Sequence, residues 1–127
     1  DLLQKIDRAV EISKTNDKLI LTVALNYGSR NEIMHAVRKI VASGIPPEDV
    51  SEQVISDSLF TAGTPDPDLV IRTSGEQRLS NFLLWQSAYS EWVFPEAYWP
   101  DYNREELIKS LEEYAKRDRR FGKLSSK

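Results

Sequence analysis

Residues 19–25, Leu-Ile-Leu-Thr-Val-Ala-Leu, form a nearly unbroken apolar run in a chain of 127 residues. A strand with one face in water alternates polar and apolar residues. A run without alternation suits a strand covered on both faces, as in a parallel sheet. The run is bounded by a turn signal at Asn16-Asp17 and by a polar loop over residues 26–31. It sets the first expectation: an α/β fold with a mostly parallel sheet flanked by helices.

The rest of the pattern alternates accordingly. Leu3, Ile6 and Val10 share one face of a helix over residues 2–14. A second helix is expected to turn Ile33, Ala36, Val37, Ile40 and Val41 inward and to stop at Gly44. Pro46-Pro47 stiffens the next connection, and Ser51 can cap a short helix carrying Val54, Ile55 and Leu59. Leu69-Val70-Ile71 reads as a second strand and residues 91–94 as a third, ended by Pro95. Between them Ser80 is placed to cap a helix holding Phe82, Trp85 and Tyr89. Asn103 with Glu106 resembles a capping box, opening a helix that packs Leu107, Leu111 and Tyr114 or Ala115. Three strands are few for such a fold. The chain opens at Asp1, without Met and already within a helical pattern, so further strands are expected upstream.

Composition excludes several classes. Without cysteine there is no disulfide framework and no thiolate metal site, which fits a reducing cytoplasm. No apolar run approaches the roughly 18 residues of a spanning helix, no signal peptide is visible, and nothing resembles a nucleic-acid module. The net charge of −3 is unevenly spread. Acids dominate residues 51–100, whereas Lys116, Arg117, Arg119, Arg120, Lys123 and Lys127 make the end basic, either as a solvated tail or as a surface for an anion.

In open α/β sheets ligands gather at the carboxyl ends of strands. Two loops qualify. Asn26-Tyr27-Gly28-Ser29-Arg30 offers helix N-terminal amides, a glycine and a cation, which is anion chemistry, although a glycine after a strand is also an ordinary turn. The second loop is richer. Arg72 leaves a strand, Arg78 follows, and Ser80 opens the expected helix, with the Leu79 backbone between them. Two guanidiniums and a hydroxyl suit the oxygens of a diphosphate. Surface pairing of these arginines with Glu76 and Asp68 is the alternative, and spacing does not decide. Glu91 could hold Mg²⁺, which takes one or two carboxylates together with substrate phosphate, or could sit at the rim paired with an arginine. His35 reads as structural, and the aromatics Trp85, Tyr89, Trp92, Phe94, Tyr98 and Trp99 read as core or subunit interface rather than a stacking platform. A nucleotide-binding module would need a glycine-rich phosphate fingerprint, and none is present.

The stretch from Pro67-Asp68-Leu69-Val70-Ile71-Arg72-Thr73-Ser74-Gly75-Glu76-Gln77-Arg78-Leu79-Ser80 through Asn81-Phe82-Leu83-Leu84-Trp85-Gln86 resembles a signature of the cis-prenyltransferases, which include undecaprenyl diphosphate synthase. The pattern continues through Ala88-Tyr89-Ser90-Glu91 and Trp99-Pro100-Asp101. Residues 26–30 resemble the family's Asn-Tyr-Gly-Gly-Arg region, and Arg119-Arg120-Phe121-Gly122 its ending.

The resemblance implies the C-terminal part of the cis-prenyltransferase fold, with residues 1–127 as the later portion of a single domain. It implies cis-condensation of isopentenyl diphosphate onto an allylic diphosphate, farnesyl diphosphate being the expected one. Arg72, Arg78 and Ser80 match residues that bind the diphosphate of isopentenyl diphosphate, with Leu79 contributing backbone. Glu76 matches a position in the same loop. Glu91 matches a glutamate associated with Mg²⁺ that nears the site across a homodimer contact. Arg120 and Gly122 match an Arg-x-Gly ending that reaches a partner subunit's diphosphate. A cytoplasmic enzyme, with peripheral membrane association through its lipid product, is implied. Ser29 departs from the usual glycine pair, which matters only where that backbone needs a positive φ. Ser74 stands where some members have glycine, a mild change by side-chain size. The family's Asp-Gly-Asn-Gly-Arg loop for the allylic diphosphate does not occur in the sequence. The chain is therefore expected to be inactive alone; a non-catalytic scaffold subunit is the alternative.

Overall fold

The structure is a computed structural model that describes residues 1–118. Four α-helices run over Leu2–Ser13 (α1), Ser29–Ser43 (α2), Glu52–Ser56 (α3) and Arg104–Ala115 (α4). Two strands, Leu69–Ile71 (β1) and Glu91–Val93 (β2), pair in parallel, with Leu69 opposite Glu91 and Ile71 opposite Val93. Single 3₁₀ turns lie at Pro47–Asp49 and Trp99–Asp101. The architecture is α/β with a parallel pair, as the sequence implies.

Local signals set the helix ends. Gly44 adopts φ 71° after α2, a left-handed cap that glycine takes without a Cβ clash. Ser51 accepts from the Val54 amide at 3.3 Å. The Asn103 carboxamide accepts from the Glu105 and Glu106 amides at 2.9 and 3.2 Å. Each satisfies amides that a first turn would leave without partners.

Three expectations are corrected. Residues 19–25 form no strand, and Ile20 and Leu21 remain 89% and 80% exposed. Apolar sequence alone does not make a strand; backbone amides and carbonyls need a ladder partner, and among the described residues only β1 and β2 pair. Residues 80–89 form successive turns rather than a helix. Ser80, Asn81 and Leu83 have φ of 48°, 62° and 46°, outside right-handed helical space. The buried face of α2 is Ser29, Glu32 and Ala36, while Val37 and Val41 are exposed.

The core is small and unusually polar. Buried apolar residues are Ala36, Leu59 and Val93, alongside Ser29, Glu32, Ser58, Gln86, Ser87 and Ser110. On α4, Ser110 is buried and Leu107 and Leu111 are not. The Ser110 hydroxyl accepts from Tyr102 Oη at 2.9 Å and donates to the Glu106 carbonyl, so its burial is compensated. Of the aromatics, Trp92 and Phe94 stack at 5.8 Å, whereas Tyr89, Tyr98 and Trp99 are exposed. Among the described residues no helix is long and apolar enough to cross a membrane.

Candidate diphosphate site

The chain leaves β1 at Arg72, whose amide extends the ladder to the Val93 carbonyl at 2.9 Å. Two further backbone bonds then hold the loop: the Ser74 amide to the Ala97 carbonyl at 2.8 Å and the Gly75 amide to the Pro95 carbonyl at 2.9 Å. Ser74 and Gly75 both have positive φ, 75° and 67°. Such a reversal suits glycine and strains serine, so the exchange at Ser74 is less mild than its chemistry suggests.

The reversal returns the chain towards Arg72. One guanidinium nitrogen, Nη1, donates to the Arg78 carbonyl and to Ser80 Oγ, the latter at 2.8 Å. Arg72, Ser80 and the backbone around Leu79 are thus gathered at the carboxyl end of β1. They line a cleft of about 270 Å³ with Val70, Ile71, Thr73, Phe82 and Trp92. The Arg78 guanidinium is largely exposed and paired with Glu76. An exposed ion pair is worth little and rearranges readily when a more highly charged anion arrives. Among the described residues Arg72 pairs with no carboxylate, so only half of the surface-pairing alternative is met.

Glu91 lies elsewhere. It begins β2, opposite Leu69, whereas Arg72 follows the far end of β1. Three residues at about 3.3 Å each separate the two ends by about 10 Å. The Glu91 carboxylate accepts from Arg117 at 3.0 Å, and Glu91, followed by Glu113, holds the Arg117 guanidinium above its ordinary pKa. Among the described residues no three His, Cys, Asp or Glu side chains gather as a metal group. Glu91 is paired with Arg117 and stands at the opposite end of the strand pair from the Arg72 cluster. Arg120 and Gly122 lie outside the described residues.

The loop at residues 26–30 is no free anion cradle. The Ser29 and Arg30 amides at the start of α2 donate to the Asn81 carbonyl and to Asn81 Oδ1, both at 2.8 Å. Ser29 adopts helical backbone and needs no positive φ; its buried hydroxyl accepts from the Leu84 amide at 3.0 Å. Next to it sits a polar cluster that the sequence reading missed. Fully buried Glu32 accepts from Tyr27, from the Phe60 amide at 2.8 Å and from Gln86 Nε2 at 3.1 Å. Its position three residues after Ser29 and four before Ala36 was the available signal. Burial, and next the Glu32 carboxylate, push the Tyr27 phenol above its ordinary value of 10.0. His35 packs on Phe60 with ring centres 5.0 Å apart, a structural role.

Comparison with known proteins gives the family. The family model for undecaprenyl diphosphate synthase prenyltransferases matches residues 1–122. An isoprenyl transferase of Agrobacterium fabrum is 50% identical, the match covering 98% of this chain and 52% of that protein. One from Clostridium perfringens is 51% identical over 90% of this chain and 47% of its own length. The crystal structure of lavandulyl diphosphate synthase from Lavandula x intermedia, in complex with dimethylallyl diphosphate, superposes with a TM-score of 0.90 at 38% identity, over 96% of this chain and 54% of that one. The chain spans about half the length of these relatives. Coverage of nearly the whole sequence by the family model, with the parallel strand pair and its arginine loop, places this chain in the cis-prenyltransferase family of undecaprenyl diphosphate synthase.

Proposed function

We propose that this chain supplies the isopentenyl diphosphate site of a cis-prenyltransferase and does not complete the reaction by itself. The observation that carries the reading is the convergence of Arg72 and Ser80 at the carboxyl end of β1, with the Arg78 guanidinium free to turn from Glu76 to a ligand. Bidentate guanidinium contacts would take the phosphate oxygens. The isopentenyl chain would lie along the Leu79, Phe82 and Trp92 side of the cleft.

The reaction proposed for the whole enzyme is an alkylation. The alkene of isopentenyl diphosphate attacks C1 of an allylic diphosphate such as farnesyl diphosphate. Diphosphate departs with the bonding electrons, and loss of a proton from the new chain leaves a cis double bond. Arg72, Arg78 and Ser80 contribute by holding the nucleophile in line, which lowers the entropic part of the barrier. The lavandulyl enzyme's complex with an allylic diphosphate supports this substrate class. Mg²⁺ belongs to the reading as companion of the diphosphates, with Glu91 serving it only across a homodimer contact. Arg120 and Gly122 are assigned to that same contact. Peripheral membrane association follows from the lipid product. A pure scaffold subunit has no use for the Arg72–Ser80 pair.

The test has two parts. The purified 127-residue chain, given isopentenyl diphosphate, farnesyl diphosphate and Mg²⁺, is expected to form no polyprenyl product; measurable product would contradict its incompleteness. In a full-length family enzyme carrying this segment, Arg72→Ala is expected to raise KM for isopentenyl diphosphate about tenfold or more with kcat less affected, the loss of a charge-assisted contact. An unchanged KM would remove Arg72 from the site.

A further inference from the structure

Ser80 meets Arg72 from a backbone that does not hold itself. Ser80 and Asn81 sit consecutively at φ 48° and 62°, where L-residues persist only when their surroundings impose it. The surroundings here are the start of α2. The Asn81 carbonyl takes the Ser29 amide and Asn81 Oδ1 takes the Arg30 amide, so one residue satisfies two of the helix's unpaired donors. Gly28 permits the approach: a Cβ there would stand 2.8 Å from Asn81 Nδ2. Ser29 Oγ adds a third tie, to the Leu84 amide. Asparagine suits the position on two counts, since it tolerates left-handed backbone and carries a side-chain acceptor.

We propose that Asn81 is the positioning residue of the diphosphate subsite. Through its paired bonds to the Ser29 and Arg30 amides it fixes the backbone at Ser80, and so keeps Ser80 Oγ 2.8 Å from Arg72 Nη1. It acts through Ser80 and is not assigned a contact with substrate. The proposal rests on the reading of the Arg72–Ser80 cluster as that subsite, and it adds that diphosphate affinity depends on a loop-to-helix contact outside the cluster.

The experiment is calorimetric titration of the 127-residue chain with inorganic diphosphate and with isopentenyl diphosphate. Asn81→Gly keeps the left-handed backbone and removes the side-chain acceptor; Asn81→Asp keeps both. The expected result is a loss of about tenfold in affinity for both ligands in Asn81→Gly, with most of it recovered in Asn81→Asp, a difference of one decade in Kd. Equal affinity of Asn81→Gly and the unmodified chain overturns the positioning role. So does an equal loss in both variants, since a general loss of fit would not distinguish the acceptor. Circular dichroism accompanies each titration. If Asn81→Gly does not fold, Gly28→Ala, whose added Cβ would stand 2.8 Å from Asn81 Nδ2 and displace the Asn81 side chain from α2, takes its place with an expected loss of about threefold; unchanged affinity there overturns the proposal. Absence of binding by the unmodified chain is a separate outcome: it removes the subsite itself, and the earlier reading falls with it.

Discussion

Ser74 and Tyr27 show how single residues store or spend stability near the candidate site. At φ 75°, Ser74 carries the left-handed penalty of an L-residue, about 1–2 kcal/mol, against about 0.5–1 kcal/mol of extra chain entropy for glycine. Ser74→Gly is therefore expected to raise unfolding free energy by about 0.5–1 kcal/mol in denaturant titrations; a destabilised variant would show that the serine side chain makes a contact worth more than the strain. Tyr27 donates its hydroxyl to buried Glu32. Its pKa is raised in the folded chain, so folding favours the protonated phenol. That contribution is whole below the unfolded value near 10 and is lost as pH rises through the folded value. Stability is thus expected to fall on the alkaline side of about pH 10, and Tyr27→Phe to show a smaller fall over that range, read from chemical denaturation at stepped pH. Equal slopes in the two proteins would contradict the linkage.

At the scale of elements, residues 19–25 are the clearest case of a segment whose sequence and surroundings disagree. Seven residues of strand-like composition lie in solvent without a ladder. Exposed strand formers of low charge pair with whatever edge they meet. Any self-association of the chain in sedimentation velocity is expected to be weaker in Ile20→Lys, with circular dichroism unchanged; association as strong as in the unmodified chain would place the contact elsewhere. The same contrast explains what was legible. Gly44, Ser51 and Asn103 announce helix ends because a cap is a local event, settled within a few residues. The two short apolar runs of β1 and β2 were legible as strands of a parallel sheet, whereas their pairing with each other was not. Residues 80–89 misled because Ser80 has the chemistry of a cap and Phe82, Trp85 and Tyr89 have helical spacing. Their conformation is decided by Asn81 binding to α2, about fifty residues away in sequence. Arg72 and Ser80 were legible through the family signature. Asn81, which holds one of them in place, carries no charge and no spacing signal of its own.

For the whole molecule, exposed apolar surface carries the message. Among the described residues large apolar side chains are exposed from Leu2 and Val10 on α1 through residues 19–25 to Val41 on α2. The chain spans about half the length of the relatives it matches. The Arg72–Ser80 cluster is local by contrast, built from a loop spanning residues 72–80 and held by backbone bonds to residues 93–97. It should therefore function as a binding site even where prenyl transfer does not occur. Titration of isopentenyl diphosphate into the 127-residue chain and its Arg72→Ala variant tests this most directly. The account predicts saturable binding by the unmodified chain, weakened about tenfold or more in Arg72→Ala, as expected for loss of a charge-assisted contact. Equal binding by the two proteins, or none by the unmodified chain, would contradict it.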